Sequence, residues 1–225
     1  MTFRLLATIL MGASLAAAPA FASDKPAPAA APLSVAVDPD PTHAPEDVVN
    51  LDLSNGGRVV IRLMPQWAPN HVERIKTLVR RHFYDGVIFH RVIEGFMAQT
   101  GDPTGTGQGG SPLPDLKAEF NALPHVRGVV SMARTSNPDS ANSQFFIVFY
   151  PRFALDKKYT IFGRVIGGMD VVDKIELGEP PANPTKIVRA TLAADSQPAL
   201  TVPPAAAAPE APAVTADQPS TAPSN

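Results

Sequence analysis

No cysteine occurs anywhere in the chain. Disulfides, thiolate nucleophiles and cysteine-based zinc sites are thereby excluded, as is a lipid anchor on a cysteine behind the N-terminal apolar segment. The compartment stays open, because a domain with an adequate core needs no disulfide even in an oxidising space. Basic charge is also scarce. Lys and Arg number 19 against 21 Asp and Glu, a formal net charge of -2, so no cationic field marks a nucleic-acid binder. The five histidines, His43, His71, His82, His90 and His125, are scattered, and no pair has ligand spacing with a carboxylate partner. His90 and His125 read as structural. There is no Gly-x-Ser-x-Gly string, which leaves a nucleophile elbow unsupported. Gly105-Thr106-Gly107-Gln108-Gly109-Gly110 does spell Gly-x-Gly-x-x-Gly, but Asp102-Pro103 precedes it and Ser111-Pro112-Leu113-Pro114 follows. Two prolines so close argue against the helix that a dinucleotide site requires. The segment reads instead as a loop whose backbone can pack close to a bound peptide.

What is abundant is proline, at 25 residues in a chain of 225. About half of these lie before Glu46 or after Ser196, where Ala-Pro runs replace any periodic pattern. Residues 23–45 and 196–225 are therefore expected to be extended, solvated arms, read first as tethers. Residues 1–22 read as a signal peptide. Arg4 supplies the positive start, Leu5 to Ala18 carry no charge, and Ala20-Phe21-Ala22 is a cleavage site. The Ala-rich style is bacterial, which predicts the periplasm. The alternative is an uncleaved inner-membrane anchor, although the apolar stretch is short for a span. No internal repeat is visible.

Residues 46–195 carry the folding signals. Val49-Asn50-Leu51-Asp52-Leu53 and Val59-Val60-Ile61-Arg62-Leu63 alternate around Ser54-Asn55-Gly56-Gly57, which predicts a hairpin. Residues 68–83 place Val72, Ile75, Leu78 and Val79 at helical spacing, with Pro69 near the start. Short apolar runs follow at 87–89, 129–132, 145–149 and 161–165, then a short helix over 169–175 and a last strand over 186–192. Many short strands with two isolated helices predict a mainly β, antiparallel domain. Spacing alone leaves barrel and sandwich both open.

Five stretches in order carry a more specific signal. They are Phe89-His90-Arg91 with Gly95-Phe96-Met97-Ala98-Gln99, Gly101-Asp102-Pro103-Thr104-Gly105-Thr106-Gly107, Ser131-Met132-Ala133-Arg134, Asn142-Ser143-Gln144-Phe145-Phe146-Ile147, and residues 155–165 from Leu155 to Val165. Together they resemble the cyclophilin-type peptidyl-prolyl isomerases over roughly residues 48–193. The resemblance implies a closed eight-stranded antiparallel barrel capped by two α-helices. It implies isomerisation of X-Pro bonds in unfolded or partly folded proline-containing polypeptides without cofactor or metal; the N-terminal segment sets the expectation of protein folding in the cell envelope, the net charge that of no nucleic acid, and a monomer is the default expectation. By the same resemblance Arg91 would take the catalytic role, Gln99 would hold the substrate carbonyl and help orient Arg91, and the pocket and groove would be lined as follows. Phe96, Met97, Phe146 and Leu155 form the proline pocket. Tyr159 stands beside it where many members have His. Gly105, Ala133, Arg134 and Gln144 line the groove for flanking residues, Ala133 and Arg134 mostly through backbone.

Three departures stand out: Glu94 where Pro is frequent, Thr100 where Gly is usual, and Ala154 where cyclosporin-sensitive members carry a Trp. Weak cyclosporin binding follows as an expectation. Two other readings share these residues: a proline-peptide binding module with incidental turnover, and an envelope-interaction protein in which the arms do the work. Intact Arg91 and Gln99 favour the enzyme.

Overall fold

A computed structural model describes residues 44–195; the expected signal peptide and both arms, except for Ala44 and Pro45, lie outside them. The elements in chain order are β1 (Val48–Leu53), β2 (Gly57–Leu63), α1 (Pro69–Arg80), β3 (Arg91–Ile93), β4 (Met97–Thr100), β5 (Val129–Met132), β6 (Phe145–Val148), β7 (Ile161–Gly167), α2 (Met169–Val172) and β8 (Ile187–Leu192). Short 3-10 turns cover Pro45–Asp47, Phe153–Leu155 and Ala193–Asp195. No helix of the described residues is long and apolar enough to cross a membrane.

The expected hairpin forms, with Leu53 opposite Gly57 and Val49 opposite Ile61. Along β2, Val59, Ile61 and Leu63 are buried while the residues between them are half-buried, the period of two that a strand imposes. In α1, Val72, Ile75, Leu78 and Val79 face the core as their spacing predicts. The helix ends at Arg80, three residues short of the expected Phe83. His82 adopts a left-handed φ of 55°, and the Phe83 N–H turns back to the Leu78 carbonyl while the His82 N–H meets that of Val79. This is the paired closure that ends helices on a left-handed residue. The apolar run at 87–89 does not form a strand. It contributes one isolated bridge, Ile88 to Lys186, and residues 97–100 supply a strand that periodicity had not marked. The second helix is confined to four residues.

All eight strands join one antiparallel sheet in the order β3-β4-β6-β5-β7-β2-β1-β8. The sheet curls into a half-barrel. Its edges β3 and β8 do not pair as a regular ladder. Irregular backbone bonds bridge the gap instead: Gly86 N–H to Ile187, Phe89 N–H to Thr185, and a mutual pair between Val92 and Gly178. The closed barrel is thus replaced by a curled sheet with a stitched seam.

Alternation along the middle strands divides the apolar residues between two clusters. Ala98, Val130, Phe145, Ile147 and Phe162 join the main core with α1 and the β1–β2 hairpin. Their sequence neighbours Met97, Val129, Phe146, Val148 and Ile161 form a second cluster on the other face, against Phe96, Leu155 and Tyr159. The first cluster holds the fold together, and the second is the floor of the site.

Candidate active site

The register of β3 on β4 places Arg91 opposite Gln99, and β6 lies next to β4 with Phe146 opposite Gln99. These three residues share a cavity of about 140 Å³ with Phe96, Met97, Leu155 and Tyr159, and with Ala133 and Arg134 at its rim. Met97 and Phe146 are buried. The Phe146 ring meets Tyr159 edge-on at 5.8 Å and stacks on His125 at 6.3 Å between centroids. The sequence reading thus brought nine of its eleven site residues to one small apolar cup with a guanidinium at its mouth. Gln144 belongs to an adjoining cavity of about 530 Å³, lined also by Gln99, Arg134, Asn142 and the 107–111 loop. Gly105 lines neither. It has φ of 69°, and a Cβ there would meet the Ile88 side chain.

Arg91 is 40% exposed at its side chain, and its Nε donates to Glu179 Oε2 at 2.6 Å. Its two terminal nitrogens have no hydrogen-bond partner among the described residues. Gln99 does not bond to Arg91. Its amide N–H donates to Gln144 Oε1 at 2.8 Å, and Gln144 in turn donates to the Gly107 and Gly109 carbonyls. The expected orienting role of Gln99 is therefore directed at the loop, not at the arginine. Arg134 also differs from expectation. Its side chain, beyond its backbone, takes part: Nε and Nη2 donate to the Lys158 carbonyl, and the guanidinium lies 4.5 Å over the Tyr159 ring. Tyr159 is held from above by that cation and from the side by Phe146.

Two residues outside the sequence-derived site brace it. Asp102 is fully buried beneath the glycine loop. It accepts hydrogen bonds from the Thr104, Gly107 and Gly109 N–H groups and the Thr104 hydroxyl. Burial by itself pushes the Asp102 carboxyl up, but these donors outweigh it and hold the pKa down at about 2. His125, also fully buried, supports Phe146. Its Nδ1 lies 2.8 Å from Asp156 and its Nε2 3.2 Å from Ser131 Oγ. That connectivity matches a hydrolase triad, yet Ser131 is fully buried and donates to the Thr160 carbonyl. No substrate reaches it, so the trio is a strut. Burial lowers the His125 pKa despite Asp156, in keeping with a structural histidine.

What can this arrangement do? It offers a small cup floored by apolar side chains, a cation among its lining residues, and a polar groove alongside. Its lining holds no nucleophile beside a base.

Comparison with known proteins agrees. The family described as cyclophilin type peptidyl-prolyl cis-trans isomerase/CLD matches residues 48–192. A probable peptidyl-prolyl cis-trans isomerase of Brucella suis is 50% identical over 169 residues, covering 68% of this chain and 86% of that one. A cyclophilin from Hirschia baltica superimposes with a TM-score of 0.64 at 32% identity, covering 69% of this chain and 77% of its own. A Cryptosporidium parvum cyclophilin type isomerase, solved in the presence of the dipeptide Ala-Pro, gives 0.60 at 30% identity, over 64% of this chain and 98% of its own.

Proposed function

The chain belongs to the cyclophilin-type peptidyl-prolyl cis-trans isomerases, and from that premise we propose that Arg91 lowers the rotation barrier by stabilising the twisted X-Pro amide above the Phe146 cup. The planar amide is held by resonance behind a barrier of about 18–20 kcal/mol, and unaided turnover takes on the order of tens to hundreds of seconds. Twisting returns the lone pair to the prolyl nitrogen, which becomes pyramidal and able to accept a hydrogen bond. An enzyme gains rate only from interactions stronger in that state than in either planar form. The Arg91 terminal N–H groups supply such an interaction, because they are permanently charged and not otherwise engaged. Phe96, Met97, Phe146 and Leu155 hold the proline ring still while the acyl side turns. Gln99 keeps a second amide N–H for the substrate carbonyl. A reduction of about 7 kcal/mol corresponds to roughly a 10⁵-fold acceleration.

The observation that carries this reading is the guanidinium with free terminal donors at the mouth of an apolar, ring-sized cup. The test is isomerisation of an Ala-Pro peptide by the wild type and by Arg91→Ala. The variant should lose about 10²- to 10³-fold in kcat/KM, the cost of removing a directed donor from a developing lone pair. Equal rates in both proteins would overturn the role of Arg91, and an inert wild type would overturn catalysis as the function.

The setting is part of the same proposal. Residues 1–22 support export to the periplasm, where the monomer would act on unfolded, proline-containing polypeptides. Exposed Ala154 beside the cup supports weak cyclosporin binding.

A further inference from the structure

We infer that Glu179 is a positioning residue for Arg91; this rests on the catalytic reading above. Glu179 lies 88 positions from Arg91 in sequence, and its Oε2 accepts from Arg91 Nε at 2.6 Å. It lines neither cavity of the site, and its contact with the site is the Arg91 side chain.

An ordinary surface ion pair contributes little, because two long side chains must be ordered to make it. This pair differs in its backbone. Val92, next to Arg91, and Gly178, next to Glu179, exchange two hydrogen bonds of 2.8 and 2.9 Å. The two side chains therefore start from strands of chain already locked together. The turn that achieves this needs glycine. Gly178 has φ of 142°, and a Cβ there would stand 2.6 Å from the Pro181 Cα.

The choice of nitrogen matters as well. A guanidinium is planar, so a partner on Nε fixes the plane in which the two terminal nitrogens lie. Binding at Nε leaves those terminal donors for the substrate. Gln99, across the β3–β4 register, is committed to Gln144 and makes no bond to Arg91. Among the described residues Glu179 alone grips the catalytic cation. Holding a donor in place before the amide twists contributes to rate and not to ground-state affinity.

The experiment measures kcat and KM separately on an Ala-Pro peptide by exchange spectroscopy, for wild type, Glu179→Ala and Glu179→Gln. Glu179→Ala should lower kcat about 5- to 10-fold while KM stays within about twofold. Glu179→Gln keeps an oxygen acceptor for Nε and should recover most of the loss. Wild-type kcat in Glu179→Ala would overturn the inference while leaving the isomerase reading intact. So would equal kcat losses in both variants accompanied by a lowered thermal midpoint, since that pattern marks a structural defect. An inert wild type would overturn both.

Discussion

Asp102 shows how one side chain can organise a binding surface without touching the ligand. Its carboxylate gathers three backbone N–H groups of the 104–109 segment, and the same segment presents the carbonyls that hold Gln144 and, through it, Gln99. The folded pKa of about 2 lies below the ordinary 3.8. The sign follows from proton uptake. The unfolded carboxyl protonates first as pH falls, so the stabilisation is complete above about pH 4 and is lost as pH approaches 2. It amounts to on the order of 2 kcal/mol. Asp102→Asn should remove a similar amount from the denaturant-measured stability at neutral pH and should flatten the decline between pH ~4 and ~2. An unchanged acid limb would show that the loop is held by other contacts. Asp102 lies within a stretch that resembles the family, but its buried, acceptor-only role is not readable from Gly-Asp-Pro-Thr. It depends on the loop folding back over the carboxylate.

At the scale of elements, strands that alternate are the best recorded in the chain. The hairpin β1–β2 and the face of α1 follow directly from residues two apart in the strands and three or four apart in the helix. The helix end does not, since His82 in a left-handed conformation has no strong sequence signature. The segment 87–89 looks like a strand because it is apolar, yet its hydrogen bonds go to an irregular partner across the seam. The 3-10 turn Phe153–Leu155 is where the proposed weak cyclosporin binding can be tested. Leu155 faces the cup, while Phe153 and Ala154 are exposed and no indole covers the rim. Isomerase activity is expected to survive nanomolar cyclosporin, and Ala154→Trp should tighten binding about tenfold by adding one aromatic contact. Loss of wild-type activity at nanomolar drug would sink this reading.

For the whole molecule, three buried histidines share one consequence. Burial lowers the pKa of His71, His90 and His125 below the ordinary 6.5, against the opposing pull of Glu119, Asp102 and Asp156 respectively. The unfolded chain takes up these protons first. Stability is therefore complete above pH 6.5 and falls as the pH drops below it, with the folded histidines still neutral. The urea midpoint should be lower at pH ~5.5 than at pH ~7.5, ahead of any carboxylate effect. A midpoint that holds or rises would show that the folded histidines accept protons without cost. The sequence by itself determined the antiparallel, mainly β class, the hairpin and the helix face, because alternation acts between near neighbours; the cup residues came from the resemblance of five ordered stretches to a family. That resemblance also put forward Arg91 as the cation proposed here to act on the amide. Only the tertiary structure decided what holds that cation, which loop Gln99 serves, and how the sheet is joined. Those contacts span tens of residues and depend on register and curl, and the pairing of Val92 with Gly178 that carries Glu179 to Arg91 has no local signal at all.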